Sequence, residues 1–245
     1  MPSETSVPGT LWVCATPIGH LDDVSPRLLQ TLREVATICA EDTRHTGKLL
    51  ARFEIGTPQT SVHEHTSPAK IAALVERLKS GESLALVTDA GTPGVSDPGP
   101  QLVKAAAEQG IMVSPIPGPC ALVAALSVSG FDAQRFSFLG FLPRKPGKIR
   151  KTLRAALERE ETFIFYESPF RVAKTLEFLA EVSPNAQVCA CRELTKHFEE
   201  TLRGNAAEIA EILRARGEVK GEFAVVVAGD GVEESDVVSL DVSLD

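Results

Sequence analysis

Short apolar runs recur along this chain, and stretches with helical spacing separate most of them. Strand candidates are residues 11–15, 36–40, 83–88 and 112–116, with a weaker one at 59–62. Between them, Leu28, Leu29, Leu32, Val35 and Ala36 follow helical spacing, as do Ile71, Leu74, Val75 and Leu78. Ser25-Pro26, Ser67-Pro68 and Ser168-Pro169 each set a cap residue before a proline at a first helical position. Gly81 and Gly110 stand where helices should stop. Alternation of this kind predicts an α/β fold with a mainly parallel sheet.

A second unit is expected to start near Asp132. Its strands are predicted at 136–141, 162–166, 187–192, 197–203 and 222–228. A short link joins the third and fourth, so those two are expected to pair antiparallel and make the second sheet mixed. Asn205 with Glu208 resembles a capping box ahead of a helix over 209–213. The expected organisation is a flexible N-terminus (1–8), an N-terminal αβα domain (9–130), a C-terminal αβα domain (131–229) and an acidic, disordered tail (230–245).

Charge is distributed unevenly. The net charge is −8, yet six acids and no base lie in 230–245, and without them the balance is 27 acidic to 25 basic residues. The sign reverses in "RKPGKIRKTLR", which carries Arg144, Lys145, Lys148, Arg150, Lys151 and Arg154 and no acid. Such a cluster suits phosphate contacts, although a solvated basic helix start gives the same pattern. Five scattered cysteines argue against a disulfide framework, and Cys189 and Cys191 read as buried thiols in a strand. Cysteine usage fits a reducing, cytoplasmic setting. No run of about eighteen apolar residues predicts a membrane span.

The chemically unusual residues of the first unit fall just after its strands. "CATPIGH" follows the first, "AEDTRHT" the second, "TDAGTPGVSDPG" a third, and "PIPGPCA" the last. Ligands of open parallel sheets sit beyond the carboxyl ends of the strands, so these four loops are expected to gather at one edge. No phosphate-binding P-loop and no ordinary dinucleotide fingerprint is present. Gly91 and Gly94 allow close backbone approach, and Asp89 could accept hydrogen bonds from a sugar or hold an amine. Asp89 and Asp97 could equally be turn-forming residues, with Asp97 capping the helix that follows. His63 and His65 share a face of an extended segment, but no third ligand stands at metal-site spacing, so no metal is expected.

The strings "ATPIGHLDDVSPRLL", "CAEDTRHTGKLL", "VTDAGTPGVSDPG", "PIPGPCA", "GFLPRK", "FYESPFR", "RELTK" and "VKGEF" resemble the tetrapyrrole methylase-like (class III) S-adenosylmethionine-dependent methyltransferases. The likeness runs from about Gly9 to Val227 and is greatest to the members that modify ribosomal RNA. It implies two αβα units with S-adenosylmethionine in the cleft between them. It also implies a cytoplasmic homodimer that methylates the ribose 2'-hydroxyl of cytidine 1402 in 16S rRNA, at the decoding centre of the small ribosomal subunit.

Carried over by position, the cofactor contacts are Pro17, Ile18, Asp89, Gly91, Thr92, Val95, Cys120, Ala121, Phe165, Tyr166, Glu167, Gly221 and Phe223. The resemblance also gives weight to Arg144, Lys145, Lys148, Arg150 and Lys151 as RNA contacts. Departures from the family pattern are His20 for Asn, Pro100 for Tyr, Cys120 for Ser and Phe170 for His. The 2'-hydroxyl needs a base, for which Glu41, Asp42, Arg44 and His65 are the candidates, with Lys196 as an outsider. A methyltransferase of this fold acting on a small molecule, and a non-catalytic nucleotide- or RNA-binding module, remain open readings here.

Overall fold

The computed structural model describes residues 7–96 and 99–229. The segments expected to be disordered at either end, and the cap expected of Asp97, lie outside those residues apart from residues 7 and 8. The chain divides into two compact units, Met1–Cys120 and Ala121–Asp245.

The first unit runs β1 (Thr10–Cys14), α1 (Pro26–Glu34), β2 (Thr37–Ala40), α2 (Thr43–Arg52), β3 (Gln59–Ser61), α3 (Pro68–Lys79), β4 (Leu84–Val87), α4 (Pro100–Glu108) and β5 (Met112–Ile116). Its five strands form one sheet in the order β3-β2-β4-β1-β5, and every pairing is parallel. All five carboxyl ends therefore lie along one edge. Strand β4 explains the layering. Leu84 and Leu86 face a core built with α3 and α4, while Ala85 and Val87 face a core built with α1 and α2. A strand buried on both faces reads as an unbroken apolar run, which is why 84–87 is LALV. The expected caps form, since Ser25 Oγ accepts from the Leu28 N–H and Ser67 Oγ from the Lys70 N–H. Gly81 and Gly110 follow α3 and α4 with positive φ.

The second unit runs α5 (Ala121–Ser129), β6 (Phe136–Phe141), α6 (Pro146–Leu157), β7 (Thr162–Glu167), α7 (Val172–Val182), β8 (Gln187–Arg192), β9 (Glu200–Asn205), α8 (Ala206–Ala215) and β10 (Phe223–Val227). Its sheet has the order β6-β7-β10-β8-β9, with β6–β7 parallel and the other pairs antiparallel. Helices α6, α7 and α8 bury one face through Phe163, Phe165, Val188, Ala190, Val225 and Val227. Helix α5 lies against β7, β8 and β10, and this places it in the second unit. Cys189 and Cys191 are fully buried, and all five cysteines are free.

Two local expectations change. Ser168 does not cap α7, because the chain first makes a turn over 168–171 and the helix starts at Val172 behind Arg171. Strand β9 starts at Glu200, three residues later than expected, because residues 193–199 form a folded link instead. The capping box of Asn205 and Glu208 is present. No helix among the described residues is long and apolar enough to cross a membrane.

Candidate active site

The loops after β1, β2, β4 and β5 are tied into one web. Thr16 and Gly91 exchange backbone hydrogen bonds of 2.9 and 3.1 Å, and Thr16 Oγ1 donates to the Thr88 carbonyl at 3.2 Å. Thr88 Oγ1 donates to Glu41 Oε2 at 2.7 Å, joining the β4 loop to the β2 loop. The Asp42 N–H donates to Asp89 Oδ1 at 3.1 Å, and Thr92 Oγ1 donates to the Pro119 carbonyl at 3.1 Å. Four loops are thus held by side chains and backbone that face one another across the sheet edge. Thr16 and Thr88 lie inside the loops that the strand ends select, and only their long-range bonds mark them as organisers.

This web fixes the backbone of the β4 loop. Gly91 has φ +85°, and a Cβ there would come within 3.3 Å of Ile18 Cγ2. A side chain would be both strained and crowded, so the buried Gly91, with its N–H and carbonyl both bonded to Thr16, lets the β4 loop close on the β1 loop. Pro17 is buried, while Ile18, Thr92, Val95, Cys120 and Ala121 are half-buried. His20 does what an Asn does at a turn, since its Nδ1 accepts from the Asp22 N–H at 3.3 Å. Asp89 is half-buried, and burial first and then the Glu41 carboxylate push its carboxyl above the ordinary value; the Asp42 N–H opposes them.

The candidate bases differ in how far they are already engaged. Glu41 accepts from Thr88 Oγ1 and from the Asp89 N–H. Asp42 caps α2 by accepting from the Arg44 N–H, and the Arg44 guanidinium 2.6 Å away holds its carboxyl well below the usual range. His65 is exposed, with Nε2 3.1 Å from Glu64 Oε1, and its backbone N–H donates to His63 Nδ1. Burial pulls Lys196 down, but hydrogen bonds to Glu222 and Glu193 outweigh it and raise its pKa, which makes it a poor base. Among the described residues no group of three or more His, Cys, Asp or Glu is placed to hold a metal.

In the second unit, "FYESPFR" is built around one carboxylate. Glu167 ends β7 with its side chain fully buried. It accepts from Thr175 Oγ1 and the Ser168 N–H, both at 2.9 Å, and pairs with Arg171 at 3.1 Å. Arg171 in turn donates to the carbonyls of Leu142 and Pro143 at 3.1 and 2.8 Å, pinning the "GFLPRK" loop. Phe165 and Phe223 are buried side chains and leave only backbone for a ligand, while Tyr166 is half-buried with its ring against Phe138 and Phe141. "RELTK" and "VKGEF" close on each other. Glu193 Oε1 accepts from Lys196 Nζ and from the Glu222 N–H, both at 2.9 Å. Gly221 has φ +97°, and a Cβ there would sit 2.7 Å from Glu193 Cδ.

The basic cluster opens α6. Arg144, Lys145, Lys148, Lys151 and Arg154 are exposed, and none pairs with an acid among the described residues. Arg150 differs, because it pairs with Glu181 at 2.6 Å and covers the Phe178 ring at 4.1 Å. The first turn of α6 holds no acid. Cations at the positive end of a helix dipole cost about 0.3–1 kcal/mol each. Helix stability therefore does not account for Lys145 and Lys148 at its start, whereas Arg154 in the last turn suits the dipole.

The fold and the looped sheet edge define the class. The sequence profile of the tetrapyrrole (corrin/porphyrin) methylases matches residues 10–210, and the chain belongs to that family. Within it, the chain is similar to "Ribosomal RNA small subunit methyltransferase I" of Xylella fastidiosa, at 49% identity over 226 residues, covering 91% of this chain and 83% of that protein. The protein of the same name from Halalkalibacterium halodurans is 46% identical over 223 residues, covering 91% and 77%. The solved structure of uroporphyrin-III C-methyl transferase from Thermus thermophilus, complexed with S-adenyl homocysteine, shares the fold with a TM-score of 0.61 at 17% identity, covering 90% of this chain and 97% of that one.

Proposed function

We propose that this protein transfers a methyl group from S-adenosylmethionine to 16S rRNA of the small ribosomal subunit, at the ribose 2'-hydroxyl of cytidine 1402. The observation that carries this reading is the 49% identity, over nine-tenths of the chain, to a protein named for methylating small-subunit rRNA. The reading makes the protein a cytoplasmic homodimer.

The residues of the first unit fit such a cofactor. An incompletely used carboxylate at Asp89 and the half-buried Ile18, Thr92 and Val95 suit a ligand that brings hydroxyl and amine donors beside apolar surface, while Gly91 fixes the loop through its bonds to Thr16. Cys120, Ala121, Tyr166 and the backbone of Phe165, Glu167, Gly221 and Phe223 complete the proposed contacts. When bound, the sulfonium supplies an activated methyl. The chain then has to hold that group and the ribose hydroxyl in line, and positioning of this kind supplies much of a rate enhancement. Deprotonation falls to the group around Glu41, Asp42, Arg44 and His65. The Asp42–Arg44 pair orients the loop that carries them.

The RNA is bound through Arg144, Lys145, Lys148 and Lys151. Their neutralisation is expected to weaken RNA binding and to lower its salt dependence by about 0.7–0.9 in log–log slope for each phosphate that is no longer neutralised, with affinity for S-adenosylmethionine unchanged. Arg150→Ala is expected instead to lower stability with little change in that slope. Equal slopes for wild type and the neutralised variant would remove the patch from the interface.

The deciding experiment incubates the protein and radiolabelled S-adenosylmethionine with small subunits lacking the modification, and with free rRNA beside them. The expected result is label in one nucleotide, mapped as a 2'-O-methyl cytidine. Label on a base, or label only in a tetrapyrrole offered in competition, overturns the reading. Light scattering checks the dimer.

A further inference from the structure

The second unit leaves two large aromatic side chains in solvent on segments that one arginine joins. Phe170 is 85% exposed in the turn after β7, and Phe141 is 61% exposed at the end of β6. Single exposed apolar residues are ordinary and carry no message. These two are distinguished by how they are held and by what surrounds them.

Arg171 holds them. Its guanidinium bonds the carbonyls of Leu142 and Pro143 and pairs with the buried Glu167. The residue after Phe141 and the residue after Phe170 are therefore bonded to each other, and both aromatics ride on one braced surface. The Phe141 ring is further set by an edge contact with Tyr166, at 5.7 Å between centroids. The surroundings are cationic. Arg144 and Lys145 continue the pinned loop, and Lys148 and Lys151 follow on α6, all exposed and, among the described residues, without acidic partners. Lysine is depleted in protein–protein interface cores. Unpaired cations beside exposed rings match single-stranded nucleic acid, whose phosphates need charge and whose unstacked bases need an aromatic face.

We propose that Phe170, with Phe141, forms a base-stacking platform for an unpaired RNA nucleotide, alongside the phosphate contacts of Arg144, Lys145 and Lys148. The proposal rests on the reading of the protein as an RNA methyltransferase and deepens it by adding a nucleobase site. Bracing by Arg171 fixes the two backbone segments that carry the rings before RNA arrives, so less ordering is needed on binding. Phe198 provides an internal contrast. It is 67% exposed, but Glu199 and Glu200 follow it and the nearby Lys196 is spent on Glu193 and Glu222.

The test measures binding of a short fluorescein-labelled single-stranded oligoribonucleotide of mixed sequence to the full chain, by anisotropy. A second oligomer has the same backbone with abasic sites. Phe170→Ala is expected to weaken binding of the first by about five- to 150-fold, the range that aromatic–base stacks give on alanine substitution. It should leave the abasic oligomer and the salt slope unchanged. Phe170→Trp should restore affinity, and Phe198→Ala should bind as wild type does. Wild-type binding with no loss in Phe170→Ala, or equal losses on both oligomers, overturns the platform and leaves the RNA reading standing. No binding of either oligomer or of small subunits by the wild type removes that reading, and the platform with it. If Phe170→Ala changes the oligomeric state in sedimentation and not the affinity, the surface is a protein contact and the proposal fails.

Discussion

Asp89 and Glu167 are carboxylates placed alike and used differently. Each comes at the carboxyl end of an inner strand, Asp89 just beyond β4 and Glu167 closing β7. Glu167 is completely enclosed and spends its oxygens on Thr175, Ser168 and Arg171. Asp89 is half-buried, accepts from the Asp42 N–H, and faces a second carboxylate, Glu41, that raises its pKa. A carboxylate whose lone pairs are filled from within serves the fold. One with capacity left over, and with its charge disfavoured, is positioned for a ligand that brings donors of its own. The two loop systems differ in the same way. Both sets of loops are cross-linked, but the first-unit web leaves Asp89 half-buried with acceptor capacity, whereas the second-unit links enclose Glu167.

The sharpest way to break this contrast is Glu167→Ala. Removing the carboxylate leaves the buried Thr175 hydroxyl and the half-buried Arg171 without it, and deletion of one partner of a fully buried pair costs about 3–5 kcal/mol, an upper bound here. Chemical denaturation should read a loss of up to that size, with Glu167→Gln milder because it keeps the volume and an acceptor. A loss within about 0.5 kcal/mol, as at ordinary surface sites, would return Glu167 to the ligand contacts. Gly221→Ala ranks next. The substitution puts a side chain at φ +97° and against Glu193, so Glu193 must release Lys196 or the Glu222 N–H. Strain of this kind costs about 1–3 kcal/mol, seen as a lower denaturation midpoint. An unchanged midpoint would mean that the link after β8 is loose rather than locked.

These two sites also mark what a sequence hides. Strand positions are legible because burial on both faces writes itself as runs such as LALV, and the gathering of loops follows from parallel topology alone. Ser25, Ser67 and Asn205 cap their helices because capping is a contact within a few residues. Ser168 has the same local pattern and fails, because Glu167 and Arg171 commit that turn to the Leu142–Pro143 carbonyls, 28 or 29 residues away in the chain. Arg150 reads like its basic neighbours until Glu181 and Phe178 close over it from α7. Long-range partners decide whether a charged residue is spent or available, and spacing carries no trace of them. The bond from Thr88 to Glu41, 47 residues apart, is hidden for the same reason.

Asp89→Asn gives the smallest change in stability and tests the contrast by its sign. Folding holds the Asp89 carboxyl above its unfolded value, so it favours the protonated form. That contribution is fully present below the unfolded pKa and is lost as pH rises through the folded one. Above the folded value the wild type has lost it and holds the Asp89 charge against the Glu41 carboxylate on one pair of bonded loops. Asparagine removes the charge and keeps an oxygen for the Asp42 N–H. The variant should therefore be at least as stable as wild type near neutrality, and its advantage should vanish once the pH falls below the ordinary carboxylate range. Its affinity for S-adenosylmethionine, read by calorimetry, should fall, because a neutral amide is a weaker acceptor than a carboxylate. A variant less stable than wild type near neutral pH would make Asp89 a fold carboxylate like Glu167 and dissolve the distinction. Undiminished affinity would take the cofactor away from Asp89 even with the stability as expected. Gain of stability together with loss of binding is the signature of a group kept at a cost to the fold for the ligand it meets.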